Sequence, residues 1–365
     1  MKNLLAIDIG TGTQDILVLN TAAAIENCIK MVLPSPTILV ARRIRKATAA
    51  RRTLLFTGVN MGGGPSTHAV RKHLEAGLKV FATPEAAVTF NDDLQVVTGW
   101  GVVLVSPDEA AKLRRVERIE TRDLDVNRIV KALKSAGVDV KIDGVALAVQ
   151  DHGNAPPDVS DRLFRFEHLR RAAEANNSLY AFAYVPHELP SYLTRMRSVA
   201  DSLHVDVPLV LLDTGPAAAL GALEDSEVRA HPRVVVLNMG NSHTLAFHLD
   251  RGKILGLFEH HTGTITEDVG RLDDFITRLV RGKLTQEDVF SDGGHGCFVL
   301  NSSRSVPFLT VTGPRRSQTR MSALSPHFAT PHGDMMLSGC FGLARAFAFK
   351  MPEWRDEFEQ VLSQS

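Results

Sequence analysis

The residues best equipped for chemistry lie near the start, in "LLAIDIGTGTQDILVLN", Leu4 to Asn20. One carboxylate, Asp8, precedes a turn made of Gly10, Thr11, Gly12 and Thr13. Glycine reaches positive φ and lets the backbone come close to a ligand. Successive N–H groups in such a turn form a nest for an anion, and threonine hydroxyls add donors. A carboxylate beside phosphate is repelled unless a divalent cation lies between, so Asp8 suits a Mg²⁺ or Mg²⁺-water ligand. The pattern returns in "VVVLNMGNSHTLAFHLD" from Val234. Aligned without a gap, Asn238 falls on Asp8, Gly240 on Gly10, Asn241 on Thr11, Ser242 on Gly12 and His243 on Thr13. Two such turns face to face would clamp a polyphosphate from both sides. The alternative is two unrelated hairpins with glycine-rich turns, and the shared register weighs against it. No GxxxxGK[ST] run occurs, and "GTGTQD" lacks the third glycine of a dinucleotide fingerprint.

These residues need strands to hold them. Alternate residues of a strand share a face, so Leu5, Ile7 and Ile9 can enter a core while Asp8 points to the other side. Val235, Leu237 and Met239 repeat that phase. Short apolar runs alternate with helical spacing through the first half: strands at Leu4–Ile9, Asp15–Leu19, Cys28–Leu33, Thr53–Thr57, Leu78–Ala82, Val102–Val105 and Gly144–Val149. Helices are expected at Thr37–Ala50, Thr67–Ala76, Leu124–Ala136 and Asp161–Ala175. Later come strands Val234–Leu237, Thr244–Leu249, Ile254–Phe258 and Pro307–Thr312, with a helix at Glu267–Val280 and a final helix pair. Phe290–Arg304 reads as loop. The alternation predicts an α/β architecture, and 365 residues suggest two domains.

Formal net charge is zero, which gives no reason to expect a nucleic-acid or anionic-membrane partner. The basic run "ARRIRKATAARR" reads as the polar face and end of one helix. No apolar run approaches a membrane span, and Asp8 interrupts the first one too early for a signal peptide. Cys28, Cys297 and Cys340 are scattered, which fits a reducing cytoplasm rather than a disulfide framework. The scatter also excludes a CxxxCxxC cluster, so radical chemistry on a cysteine-held iron–sulfur centre is not expected.

The two hairpins resemble the phosphate motifs of the actin-like ATPase superfamily of sugar kinases, heat-shock chaperones and actin. "GPAAALGAL" resembles its first connecting helix, "FLTVTGPRR" its adenosine motif with Gly313, and "SGCFGLARA" its second connecting helix. "GKILGLFEHHTGTITEDVGRLDDFI" is similar to the chaperone segment after the second hairpin. The resemblance implies a two-domain, duplicated ribonuclease-H-like fold with ATP and Mg²⁺ in the interdomain cleft. The first domain is placed at residues 1–205 and the second at 206–365, with the last helices packing back on the first. Gly10, Thr11, Gly12, Thr13, Gly240, Asn241, Ser242, His243 and Gly313 would then hold nucleotide, and Asp8 the metal. The chain departs from the pattern at Asn238, where an Asp is usual, at His243, where a small residue is usual, and at Pro314, where a Gly is usual. As a whole it resembles a bacterial and archaeal family labelled as a pyruvate formate-lyase activating enzyme, a label its cysteines do not support.

The same resemblance gives roles to other residues. Gln150, Asp151 and His152 in "ALAVQDHGN" resemble the Q-x-H-G segment at the sugar site of sugar kinases; an ordinary polar loop is the other reading. Asp213 sits where sugar kinases carry the base that takes the proton from the attacking hydroxyl, and its position equally suits a helix cap. Histidines recur in glycine-rich loops: His152, His243, His260, His261, His295 and His332. Lining one cleft, they would bind phosphate or a transition metal; as free surface residues they would do neither. "TGVNMGGGPSTHAV" is a loop able to place an anion at a helix N-terminus. The chemistry expected is phosphoryl transfer to a small metabolite. The alternatives are a nucleotide-dependent switch acting on a protein client and a non-catalytic nucleotide- or ligand-binding module.

Overall fold

Apolar alternation and cross-strand pairing build the first sheet from the hairpin outward. In a computed structural model that describes residues 1–203 and 206–363, strands β1 (Asn3–Ile9), β2 (Thr13–Asn20) and β3 (Ile29–Pro34) form an antiparallel meander. Strands β4 (Gly144–Val149) and β5 (Leu209–Leu212) then add in parallel beside β1, giving the order β3-β2-β1-β4-β5, with the short strand Ala183–Tyr184 antiparallel outside β5. Leu5, Ile7 and Ile9 enter one core layer, while Leu4 and Ala6 enter another on the opposite face.

The second half repeats this plan. Strands β6 (Arg233–Met239), β7 (His243–Asp250) and β8 (Lys253–His261) form the second meander, and β9 (Gly296–Val299) pairs outside β8. Strand β10 (Phe308–Thr312) lies parallel to β6, with the short strand His327–Phe328 beyond it. Meander followed by parallel additions on the side of the first strand thus occurs twice. This duplicated two-domain α/β arrangement is the actin-like fold.

Two corrections to the expected elements concern strands that pattern alone hides. The segment read as loop contains β9, a four-residue strand with glycine on its first position, stabilised by pairing with Gly256–Glu259. Val116–Thr121 is also a strand, although half of "VERIET" is charged and only Ile119 and Thr121 are buried. It completes a third, four-stranded parallel sheet with Thr53–Gly58, Val80–Ala82 and Val102–Leu104, inserted between β3 and β4 and packed on its own core. Residue 205, the expected end of the first domain, lies outside the described residues.

Three helices carry the site. Helix α1 (Asp161–Ala175) buries Arg165, Phe166, Leu169 and Ala173 on one stripe. Helix α2 (Thr214–Ala222) follows β5, and α3 (Ser338–Lys350) follows the second sheet yet packs on β1, β2, β4 and β5 of the first. The two cross with backbones in contact. A Cβ on Gly342 would overlap the Ala217 carbonyl, and one on Gly221 would overlap the Ser338 carbonyl. Only glycine allows this approach. Among the described residues no helix is long and apolar enough to cross a membrane.

Candidate functional site

Each hairpin turn closes in the same way: Gly10 N–H donates to the Thr13 carbonyl at 2.9 Å, and Gly240 N–H to the His243 carbonyl at 2.9 Å. The two turns meet. Ser242 Oγ donates to Thr11 Oγ1 at 3.1 Å, and Gly12 lies so close to the Asn241 amide that a side chain there would have to displace it. A cavity of about 90 Å³ sits behind the contact, lined by Asp8, Asp15, Asn238, Thr312, Gly313 and Gly339 among others. The turns, Asp8 and Gly313 are therefore brought together at one place.

Asp8 is joined there by a carboxylate that the sequence reading missed. Asp15 stands directly opposite Asp8 in the hairpin register, and both line the cavity. Like charges at such range cannot both ionise at low cost. Burial, then Asp15 and Asp213, push the Asp8 carboxyl well above its ordinary range. Burial pushes Asp15 up to about 7, against the Thr13 hydroxyl bond that lowers it. Among the described residues Asp8 Oδ1 and Asp15 Oδ1 have no hydrogen-bond partner. Gly339 opens α3 where a Cβ would strike the Asp8 carboxylate. Paired carboxylates that border a cavity, each with one buried oxygen left without a partner, fit a divalent, oxygen-seeking cation.

The small cavity shares Gly10, Thr11, Gln150, Thr214, Ser242 and His243 with a larger cleft of about 460 Å³. The inserted sheet supplies its far wall through Asn60–Pro65 and Asp92. Asp92 is pushed up to about 6 by burial and by Asp151. The glycine loop is anchored by hydroxyls: Thr37 and Ser66 both donate to the Gly63 carbonyl. Pro65 opens the following helix and leaves one N–H fewer for an anion. Gln150 and His152 line this cleft. Asp151 also borders it, but its carboxylate accepts from Gly153 N–H at 2.8 Å and Met196 N–H at 2.9 Å. Those bonds make it a loop anchor.

Asp213 requires a correction. Its carboxylate accepts both terminal nitrogens of Arg165, at 2.7 and 3.1 Å, and caps α2 by accepting from Gly215 N–H at 3.1 Å. It borders neither of the two cavities. Forked by Arg165, capping α2 and set back from both cavities, the carboxylate stands as an anchor of the fold rather than where the expected base would meet an acceptor hydroxyl. Arg165 Nε meanwhile bonds Glu259 of β8 at 2.9 Å, and Gln150 Nε2 bonds the same carboxylate at 3.0 Å. Burial opposes the Glu259 charge, but the Arg165 guanidinium holds its pKa below the ordinary value. The buried chain Asp213–Arg165–Glu259 thus ties α1 and α2 to the second sheet.

Of the loop histidines, four converge. His152, His243, His261 and His295 border the larger cleft, with ring centroids of neighbours 4.9 to 5.7 Å apart. His260 instead faces Asp292 at 3.0 Å, and His332 packs on Phe341. The three cysteines are buried, and each thiol donates to different main-chain carbonyls: Cys28 to Ala24, Cys297 to Leu284, Cys340 to Ala6 and Asp15. Burial pushes all three thiols up, away from the thiolate that holds a metal cluster.

No curated protein matches the chain. Among solved structures, the ROK hexokinase from Thermus thermophilus shares 11% identity at a TM-score of 0.26, over 69% of this chain and 47% of that one. The chain therefore spans about half the hexokinase's length. The ethanolamine utilization protein EutJ from Carboxydothermus hydrogenoformans shares 11% identity at 0.28, over 95% of this chain and 90% of that one. The apo psk41 parM protein shares 13% at 0.33, over 98% and 99%. The fold assignment stands on the strand order. Residues 61–318 match the family described as "Putative pyruvate format-lyase activating enzyme (DUF1786)", and with most of its length in that match the chain belongs to this family.

Proposed function

We propose that the chain binds Mg²⁺–ATP with its phosphates at the two hairpin turns and passes the terminal phosphoryl group to a small hydroxylated or acidic metabolite in the adjoining cleft. The observation that carries this reading is the meeting of two matching turns over the Asp8–Asp15 pair, with walls shared by a cleft of about 460 Å³. The N–H groups and hydroxyls of Gly10–Thr13 and Gly240–His243 hold phosphate oxygens. Asp8 and Asp15 hold the Mg²⁺, which when bound neutralises charge on the phosphates. Gly313 borders the adenosine side. Gln150, fixed by Glu259, stands where phosphate and acceptor sites join. On the acceptor side Asp92, held up to about 6, suits receipt of a proton near neutral pH.

One observation favours a second reading. The cavity behind the turns, about 90 Å³, is smaller than the roughly 300–1,000 Å³ of small-molecule sites. Admitting a nucleotide requires the domains to part about the α2–α3 crossing. The same motion would serve a switch acting on a protein client.

A metabolite-pool screen for ATP consumption and phosphorylated product separates the two. For a kinase, turnover depends on one metabolite, and Asp92→Asn lowers it about 10²–10⁴-fold, the usual size for general-base loss, with nucleotide affinity nearly unchanged. No turnover with any metabolite, alongside intact nucleotide binding, supports the switch.

A further inference from the structure

Four imidazoles meeting in one place call for an explanation that phosphate binding does not supply. His152 lies in the loop after β4, His243 opens β7, His261 ends β8 directly opposite it, and His295 precedes β9 with its N–H on the Glu259 carbonyl. His152 Nε2 and His295 Nε2 are 3.2 Å apart. One ring nitrogen from each of His152, His243 and His295 lies within 4.8 Å of the others. At a zinc–nitrogen bond of about 2.05 Å, the nitrogens of a tetrahedral site stand about 3.3 Å apart. The His152–His295 separation already has that value. Among the described residues, the buried His243 Nδ1 and His295 Nδ1 have no hydrogen-bond partner.

The geometry points to a transition-metal site formed by His152, His243 and His295, suited to Zn²⁺ or another late first-row divalent ion, with its remaining coordination open to the cleft that these residues border. Burial, the largest cause in each case, keeps the three rings neutral: His152 is pushed well down, His243 down to about 4 against the pull of Glu259, and His295 down as well. Neutral imidazole is the ligand form. A set of nitrogen donors without a carboxylate favours zinc, cobalt, nickel or copper over Mg²⁺. The buried Glu259–Arg165 pair adjoins the rings, and its two charges act on His152 and His243 in opposite senses, Glu259 upward and Arg165 downward. The open position would take water or an oxygen of an anionic metabolite, a carboxylate or a phosphate. His152 belongs to the first sheet's loop and the other two to the second sheet, so the metal would also bridge the domains.

The test is Co²⁺ titration of chelator-treated protein that carries no histidine tag and no nucleotide. One Co²⁺ per chain with a visible tetrahedral d–d band, displaced by Zn²⁺, is expected. His295→Ala, His243→Ala and His152→Ala should each weaken binding about tenfold or more, while His260→Ala leaves it unchanged. His152→Ala, altering a loop, covers the case in which a strand-end variant misfolds; circular dichroism reports the fold. No band in wild type, or a band undiminished in all three variants, overturns the site and marks the cluster as an imidazole hydrogen-bond network. Because nucleotide is absent, either result leaves the Mg²⁺–ATP reading at the turns untouched.

Discussion

Asp8→Asn should stabilise the metal-free protein at pH 8 by about 2 kcal/mol, the scale of one buried polar group left without a partner, and should abolish the effect of Mg²⁺ on nucleotide binding. The two effects have one cause. Asp8 and Asp15 oppose each other across the hairpin with free oxygens. Both carboxyls have pKa values raised above their unfolded ones. A raised carboxyl contributes stability that is complete below its unfolded value, roughly 4, and that is lost as pH rises through the folded value, about 7 for Asp15. Metal-free wild type should therefore lose stability between roughly pH 4 and 7. The stabilisation added by Mg²⁺ should grow over the same window, because the cation displaces protons. Scanning calorimetry at pH 5 and pH 8, with and without Mg²⁺, measures both. A variant less stable than wild type at pH 8, with its Mg²⁺ response intact, would show that the pair is not a metal site.

Arg165→Met should cost about 3–5 kcal/mol, the loss typical of breaking a buried ion pair from one side. It leaves Asp213 and Glu259 buried without their cation, both sealed from solvent. Glu259 has a folded pKa below its unfolded one, so its contribution is present above roughly pH 4.5 and is lost as pH falls further. The deficit of the variant should therefore be larger at pH 8 than at pH 4. Arg165→Lys keeps the charge but cannot fork across both carboxylates, and should fall between the two. Urea midpoints at both pH values give the comparison. A loss below about 1 kcal/mol would place the triad among pairs of little net worth.

The hairpins were legible because their information is local. Seventeen residues contain the strand phase, the turn and the carboxylate, and the ungapped repeat supplied an internal control. Asp15 was legible too: a turn closed by Gly10 and Thr13 puts residue 15 opposite residue 8, and only attention to Asp8 alone hid it. Arg165 was not. It shares its helix with Arg162, Arg170 and Arg171 and looks like part of a solvated face. Its burial depends on partners 48 and 94 residues away. The same holds for the histidines, where His152 meets His295 across 143 residues. The sequence offered all six loop histidines equally, whereas the pairing of β7, β8 and β9 gathered three of them and the loop after β4 added His152. The strand at Val116–Thr121 was missed because Ile119 is its one residue in the third core and Glu117, Arg118 and Glu120 break the apolar pattern around it.

Calorimetric titration of ATP into wild-type protein, with and without Mg²⁺, tests the central claim most directly. One ATP per chain should bind, with affinity at least about tenfold higher when Mg²⁺ is present, the factor equivalent to about 1.4 kcal/mol. ATP that binds equally well without Mg²⁺, or fails to bind in either condition, would contradict a magnesium–phosphate site at the meeting of the two turns.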